Sequence, residues 1–445
     1  MQQGKTLGMR MRPFEIKGIT AIHGTVSISA LPCSLLLALL ASAPATASEL
    51  PGELDALELA DAALQPVASA RDWQFFAELA AGGQDQRTSG WEAEQRLSLD
   101  LNADIRFAPG WRAVLSDRLD LGWTGTLDDD SQVNTLREAY VSWQPGAAQI
   151  YDLGRVNLRS GVAMGFNPSD FFKAGALRSV TSVAPASLRE NRLGTGMLRG
   201  QWLWDGGGIS AVYSPKLGDQ RSSAPFSTDF GASNPRERGL LVFSQAMTDW
   251  LNPQWLIFSE AGQSPQFGLN LSILASDASV LYLEYAGGRA ASQIDRALGL
   301  AGAKSFQSQL ATGLTHTFPN KLSLSVEYQY SSAAPAAAQW HALQQNGQDY
   351  GRYRAWAGTM QALTTQQALF TYASWQDFPL ARSELAAMLR HDLTDSSSML
   401  WLQGIQHFEQ ADLIAQWQYN QGSARSVYGA GPARQSFQLM LRYYF

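Results

Sequence analysis

The chain has 445 residues, of which 45% are hydrophobic and only 16% are charged. This composition excludes a largely disordered protein and supplies enough apolar residues for one very large core or two ordinary ones. The formal net charge of −6 argues against nucleic acid as a partner.

Residues 1–48 have the pattern of an export signal peptide. Arg10 and Arg12 give a basic start, an apolar stretch follows, and small residues at 45–47 supply a cleavage position. The only cysteine, Cys33, lies inside this segment, so the exported chain has no disulfide, no thiolate metal site and no cysteine nucleophile. After cleavage, 29 basic and 38 acidic residues remain, a net charge of −9.

Residues 49–71 form an acidic leader. Leu54, Leu57 and Leu64 fall on one stripe of a short helix, with acidic residues around them. Two interpretations stay open. The leader either forms a helix that docks a periplasmic partner or plugs the domain that follows, or it is disordered.

From residue 72 onward, apolar and polar residues alternate in runs of about ten. In the run 97–107 every odd position is apolar, and the even positions are Ser98, Asp100, Asn102, Asp104 and Arg106. Side chains two apart share one face of a strand, so this pattern indicates a barrel with lipid outside and water inside. A soluble all-β sandwich is the alternative. No stretch beyond residue 48 reaches about 18 consecutive apolar residues, which excludes a helical membrane span.

Turn-like sequences divide the chain into strands. Short connections lie near residues 109, 145, 206, 251, 277, 319, 378 and 410. Longer ones, rich in Gly, Ser, Ala and Pro, lie at 82–90, 124–132, 159–191, 215–237, 288–304, 331–363 and 420–433, with two short ones near 263 and 395.

This spacing predicts an all-β fold, a transmembrane antiparallel up-and-down β-barrel over residues 72–445. Counting gives about 18 strands, with 16 or 14 as alternatives, and a long inward-folded loop after strand 5. The last strand is expected to close the barrel against "DWQFFAELAAG".

The chain ends in a strictly alternating run that stops on an aromatic residue. Its apolar positions are Phe437, Leu439, Leu441, Tyr443 and Phe445. This ending resembles the terminal signal of Gram-negative outer-membrane proteins, which the barrel-assembly machinery recognises. The resemblance implies a place in the outer membrane of a Gram-negative bacterium, in contact with outer-membrane lipid and lipopolysaccharide.

The stretch 159–191 combines apolar pairs, the turn dipeptide Asn167-Pro168 and several glycines, and an apolar loop is expected to fold inward. Its position is similar to that of the constriction loop of general porins. From Ile150 to Gly200 there are seven basic residues against three acidic ones. The candidate pore residues are Arg155, Arg159, Asn167, Asp170, Lys173, Arg178, Arg189 and Arg192.

These residues have two interpretations. Their positive charge could select anionic solutes in a narrow pore. Alternatively, the arginines pair with lumen carboxylates such as Asp100, Asp104 and Glu327 and only brace the wall.

The stretch from Gly154 to Phe172 also resembles a "GR…G…G(Y/F)NPxDFF" pattern of porin-like and exopolysaccharide-export barrels. Alginate-export-type barrels, with eighteen strands and an arginine-rich pore, have a similar architecture. The resemblance implies a channel.

The sequence therefore predicts a porin-like channel for small, anionic or sugar-like solutes, passive or gated by a partner. An export channel of a polysaccharide or small-molecule secretion system is one alternative. A surface hydrolase built on His391, Asp392 and Ser396 to Ser398 is another, but adjacent strand residues point to opposite faces, so no enzyme is predicted. No histidine spacing fits a metal site, and no cofactor is predicted.

Overall fold

The computed structural model describes residues 71–124 and 126–445. The predicted signal peptide and, apart from Arg71, the predicted leader lie outside these described residues.

Eighteen β-strands make up most of the described chain. They are β1 (Trp73–Gln86), β2 (Gly90–Ala108), β3 (Trp111–Thr124), β4 (Thr126–Gly146), β5 (Gln149–Val156), β6 (Thr195–Trp204), β7 (Gly207–Ser214), β8 (Arg238–Gln245), β9 (Leu251–Glu260), β10 (Gln266–Ser276), β11 (Ser279–Ala290), β12 (Ser305–Thr317), β13 (Leu322–Ser331), β14 (Gln367–Gln376), β15 (Ser383–Asp392), β16 (Ser398–His407), β17 (Ala411–Gln421) and β18 (Ala433–Tyr444).

Short helices lie only in the connections of the described chain. They are α1 (Pro185–Glu190), α2 (Phe230–Ser233), α3 (Gln293–Leu298), α4 (Ala337–Gln345) and α5 (Gly347–Met360). Among the residues described, no helix has the length and apolar character needed to cross a membrane.

The strands form one closed sheet. Each strand pairs antiparallel with the next in the chain, and β18 pairs with β1, with Leu79 opposite Leu441 and Ala81 opposite Leu439. Closure leaves no sheet edge unpaired, so the backbone groups are satisfied without water. The structure confirms the predicted antiparallel barrel of eighteen strands and the predicted pairing of the last strand with the first. The alternatives of sixteen and fourteen strands are wrong.

The two faces of the wall differ as the alternation predicts. On β2, Ser98 and Asp100 are buried inside the barrel, whereas Ile105 and Phe107 are exposed outside. Exposed aromatic side chains also line up near the short-turn end, where Trp111 stacks on Trp143 with centroids 5.7 Å apart. Aromatic rings at this level are typical of the interfacial girdle of membrane barrels.

The C-terminal strand follows the same rule. The predicted terminal residues are all exposed on the outer face: Phe437, Leu439, Leu441, Tyr443 and Phe445. The amide of Phe445 donates to the carbonyl of Phe75 at 3.1 Å, and the two rings lie 5.2 Å apart. The last residue therefore contributes to the seam between the first and last strands.

The eight short connections lie where the sequence predicts them, and at the opposite end of the barrel five of the predicted long connections and both predicted short ones are present. The predicted loops at 82–90 and 124–132 are wrong in extent, since β1 continues to Gln86 and β4 begins at Thr126. Glycine-rich sequence indicated a loop there, but Gly82 and Gly83 pair with Glu94 and Ala93 in a regular ladder.

Candidate solute pathway

The long connection between β5 and β6, residues 157–194, is named loop L3. It leaves the wall at β5 and reaches inward-facing carboxylates of β11 and β13, which lie six and eight strands further round the barrel. L3 therefore folds into the lumen, as the sequence predicts for the loop after strand 5.

Glu327 of β13 is fully buried and receives the backbone of L3. Its oxygens accept from the amides of Met164 at 2.9 Å, Gly165 at 3.1 Å and Phe166 at 3.0 Å. Tyr282 donates from the neighbouring wall at 2.9 Å. A buried carboxylate with this many donors is compensated in its charged form, because hydrogen bonds replace the lost water.

Glu284 of β11 holds the adjoining part of the loop in the same way. It accepts from the amide of Ala163 at 3.0 Å, from the Asn167 side chain at 3.2 Å, and from the amide and hydroxyl of Ser169 at 2.8 and 2.9 Å. Two wall carboxylates thus bind seven donor groups within residues 163–169.

Two glycines allow this close approach. Gly161 has a φ of +102°, and a β-carbon there would collide with the Glu284 carboxylate. A β-carbon on Gly165 would lie 2.5 Å from the ring of Phe370 and 2.6 Å from Nε2 of Gln329. Glycine is needed where the backbone meets a wall this closely.

Apolar contacts extend the attachment round the inner wall. Met164 packs in a cluster of β14 to β16 residues, which are Phe370, Tyr372, Ala386, Met388, Met399 and Trp401. Phe172 packs in a second cluster, which contains Val156, Met197, Val212, Leu240, Leu256 and Phe258. L3 therefore covers the inner face of β5 to β9 and of β14 to β16 as well as its carboxylate anchors.

Several predicted pore residues of L3 are used to fold the loop itself. Arg192 is buried and pairs with Asp170 at 2.7 Å. Arg189 donates to the carbonyl of Ala163 at 3.4 Å, and burial lowers the pKa of its guanidinium. Lys173 donates to the carbonyl of Asn167.

Burial lowers the pKa of Lys173 to about 8, against the pull of nearby carboxylates such as Asp170. Its ammonium lies 4.5 Å from the centroid of the Phe166 ring. Lys173 is therefore a group of L3 whose charge changes near neutral pH.

Arg155 and Arg178 contact backbone carbonyls. Arg155 is buried and donates to Gly194 at 3.0 Å and to Thr228 at 2.5 Å. Arg178 donates to Asn134 and Ser227, at 3.0 and 2.7 Å. Arg159 is the exposed member of the predicted set. The eight predicted residues thus do not form a single constriction ring, although most lie in one loop inside the barrel.

Sequence analysis did not single out a second group of arginines, which lies on the inner wall from β18 through β1 to β4. Glu78 accepts from Arg96 at 2.9 Å, Arg118 at 3.2 Å and Arg442 at 2.7 Å. Asp100 accepts from Arg118 at 3.4 Å and from Arg137 at 2.5 Å. We call Arg96, Arg118, Arg137 and Arg442 the arginine wall.

One member of the arginine wall and one further arginine remain partly accessible inside the barrel. The Arg442 side chain is 29% exposed, and Arg199 of β6, which pairs with Asp152 at 2.6 Å, is 18% exposed. Every second residue of a strand faces inward. Arginines at inward positions of the predicted strands could therefore have indicated this group from the sequence.

The lumen carboxylates named as bracing partners have other roles. Asp100 pairs with the arginine wall, Asp104 pairs with Arg112 at 3.3 Å, and Glu327 binds loop backbone. The arginines of L3 are held by Asp170 and by carbonyl groups instead.

In the predicted hydrolase site, the side chains of two residues, His391 and Ser398, contact each other. His391 Nδ1 lies 2.8 Å from the Ser398 hydroxyl, but Asp392 accepts from Thr365 and from the amides of Thr394 and Asp395. The same histidine–serine geometry recurs between His316 and Ser279, also at 2.8 Å. This repetition is typical of cross-strand pairing, and Asp392 does not orient the imidazole as a catalytic triad requires.

The fold is similar to several solved structures. OccK5 (OpdH) of Pseudomonas aeruginosa matches with a TM-score of 0.52 at 9% identity, over 84% of this chain and 97% of that one. OpdQ of the same organism gives 0.50 at 10% identity, over 84% and 99%. OccAB1 of Acinetobacter baumannii gives 0.53 at 12% identity, over 84% and 96%.

No family model matches the chain, and no curated protein matches it. At such low identities the structural similarity is one of fold, and it confirms the predicted porin-like barrel architecture at that level.

Proposed function

We propose that the protein is an outer-membrane channel of a Gram-negative bacterium through which small anionic solutes diffuse. The observation that carries this proposal is the arginine wall on the inner face of β18 and β1 to β4. The carboxylate anchors and apolar contacts of L3 lie on β5 to β9, on β11 to β13 and on β14 to β16. L3 reaches the arc of the arginine wall at β4, where Arg178 donates to the carbonyl of Asn134 and Arg137 donates to the Asn191 side chain at 3.1 Å.

The guanidinium groups of this arc offer hydrogen-bond donors to an anion. The four of them pair with Glu78, Asp100 and Asp120, and Arg137 also interacts with Asp117 and Glu138, so the attraction rests on guanidinium donors rather than on an excess of positive charge. A guanidinium has five N–H donors, so Arg442 can hold Glu78 and still offer donors to a passing carboxylate or phosphate. In a narrow, weakly polarisable lumen such a charge acts over a longer range than in open water.

L3 sets the upper limit on the size of the solutes that pass. It narrows the lumen by its own volume, and its anchors keep it rigid, since both anchoring carboxylates are fully buried. We assign Arg159 and Lys173 to the loop side of the pathway and Arg199 and Arg442 to the wall side. The export-channel alternative requires the same barrel and rests on no separate feature of the described residues.

Solute entry into proteoliposomes tests this function. Glucose, gluconate and glucosamine have nearly the same size but are neutral, anionic and cationic. We expect entry in the order gluconate, glucose, glucosamine, because guanidinium groups along the lumen attract anions. The double variant Arg199→Gln/Arg442→Gln should lose the preference, whereas Arg236→Gln, which changes an exposed ion pair with Glu260, should keep it. Equal entry of all three solutes in the wild type would contradict the proposal.

A further inference from the structure

Three aromatic rings and two cations lie together at the long-loop end of β10, β11 and β12. The rings of Phe267 and Tyr285 have centroids 5.6 Å apart, and those of Phe267 and Phe306 6.0 Å apart. The cations are Arg289, near the end of β11, and Lys304, immediately before β12. We call the three rings and two cations the rim patch.

The rim patch is on the membrane side of the wall. Tyr285 and Arg289 share one face of β11, and the opposite face carries the buried Glu284. Phe267 is 46% exposed and Phe306 is 53% exposed, as outward residues of this barrel are.

The register places the cations directly at the rings. Arg289 lies opposite Phe306 in the β11–β12 ladder. Its guanidinium donates to the backbone carbonyl of Lys304 at 3.0 Å, and both side chains are exposed. This bond holds the guanidinium against the backbone of Lys304, at the start of β12.

Two carboxylates of this end of the barrel are bound to other partners. Asp295 accepts from the hydroxyl of Ser292 at 2.7 Å, and Glu260 pairs with Arg236 at 3.0 Å. These contacts occupy carboxylate oxygens that would otherwise compete for Arg289 and Lys304.

This arrangement fits a phosphorylated amphiphile. A guanidinium and an ammonium together match the charge and geometry of a phosphate. Aromatic rings at the level of the headgroups pack on the upper part of the chains, and Leu269 and Leu281 continue the apolar outer face further down the same strands.

We propose that the rim patch binds a phosphorylated glycolipid of the outer leaflet, with Arg289 and Lys304 on the phosphate of its headgroup. The site is on the outer surface, so it acts independently of the solute that crosses the lumen. It would anchor one lipid at a fixed position beside L3's anchoring strand β11.

Binding of diphosphorylated lipid A to the purified full chain, followed by native mass spectrometry, tests the proposal. Wild-type protein should retain lipid A and release the enzymatically dephosphorylated form. Arg289→Glu/Lys304→Glu should bind diphosphorylated lipid A about tenfold more weakly or worse, because two attractive charges become repulsive. Lys216→Glu/Lys321→Glu, which reverses two exposed lysines elsewhere on the surface, is the matched control and should bind as the wild type does.

Three results would overturn the proposal: equal binding by the test and control variants, equal binding of dephosphorylated lipid A, or displacement of lipid A by inorganic phosphate. The heat-dependent shift in gel mobility shows whether each variant forms a barrel. If the glutamate variant does not, Arg289→Gln/Lys304→Gln removes both charges without adding repulsion, and the same criteria apply to it.

Discussion

Two carboxylates decide where L3 lies. Glu284 and Glu327 are fully buried, and their oxygens accept mainly from the backbone of the loop. A hydrogen bond to a charged acceptor contributes about 1.5–3 kcal/mol, so the seven bonds to residues 163–169 offset the cost of ordering that segment, about 1–2 kcal/mol per residue. The constriction is therefore held by charge on the wall and by backbone amides on the loop, rather than by the basic side chains of the loop.

Replacing Glu327 by glutamine should loosen L3. Both of its oxygens accept from N–H groups, so an amide nitrogen must face a donor and leave it unpaired, at a cost of about 1–3 kcal/mol. We expect faster proteolysis within L3 and noisier, larger single-channel currents. Glu384→Gln is the matched control, because Glu384 is a buried wall carboxylate near the short-turn end of β15. Currents equal to those of the wild type would contradict the anchoring role.

Lys173 should make anion preference depend on pH. With a pKa of about 8, its ammonium is mostly charged at pH 7 and mostly neutral at pH 9. Reversal potentials should therefore show a fall in anion preference with a midpoint near pH 8, and Lys173→Met should remove that step. A step of the same size in Lys173→Met would show that another group titrates.

The lowered pKa of Lys173 also determines how the stability of the folded barrel changes with pH. Below pH 8 Lys173 is protonated in the folded and unfolded chain, and the cost of burying its charge is fully present. Between pH 8 and its unperturbed pKa, the unfolded state binds more protons, so this residue's contribution makes the folded barrel more stable as pH rises.

For the contacts that anchor L3, the sequence pointed to the loop residues more clearly than to the wall carboxylates. The glycines, Asn167 and the residues of the "GFNP" turn stood out, and Glu327 appeared as an inward residue of its strand. Glu284 has the same inward alternation on its strand, but neither carboxylate could be matched to the loop from sequence, because the bonded residues are 115–121 positions apart for Glu284 and 161–163 for Glu327. Which inward carboxylate meets a loop depends on the closed geometry of the barrel.

Strands and turns were the most predictable elements. A barrel with lipid outside and water inside imposes alternation on every strand, and this pattern is local in sequence. Loop extents were less predictable, as Gly82 and Gly83 show, because glycine fits a ladder as well as a turn when its neighbours are paired.

The terminal strand gives a test at the scale of one element. Phe445→Ser should lower the yield of heat-modifiable barrel in outer membranes, because the aromatic ring packs on Phe75 at the closing seam and completes the predicted assembly signal. Phe408→Ser is the matched control, since Phe408 is 56% exposed in a short turn and Phe445 is 57% exposed. Equal yields of the two variants would contradict a special role for the last residue.

The whole molecule combines an apolar outer face, a charged inner face and a loop that divides the lumen. Arg442 joins the arginine wall only because the barrel closes, since Arg442 and Glu78 are 364 residues apart in the chain. Sequence periodicity predicted the barrel but not these ion pairs, because matching the charges requires the register of each pair of neighbouring strands. The proposal therefore keeps the predicted basic character of the pore and two of the predicted residues, Arg159 and Lys173, and adds arginines of the wall.

The reversal potential of the reconstituted protein in a planar bilayer under a potassium chloride gradient tests the central claim most directly. The account predicts that chloride permeates better than potassium in the wild type. The preference should fall to near or below unity in Arg199→Gln/Arg442→Gln and stay unchanged in Arg236→Gln. A wild-type channel that prefers potassium, or a double variant with undiminished chloride preference, would contradict an anion path along the arginine wall.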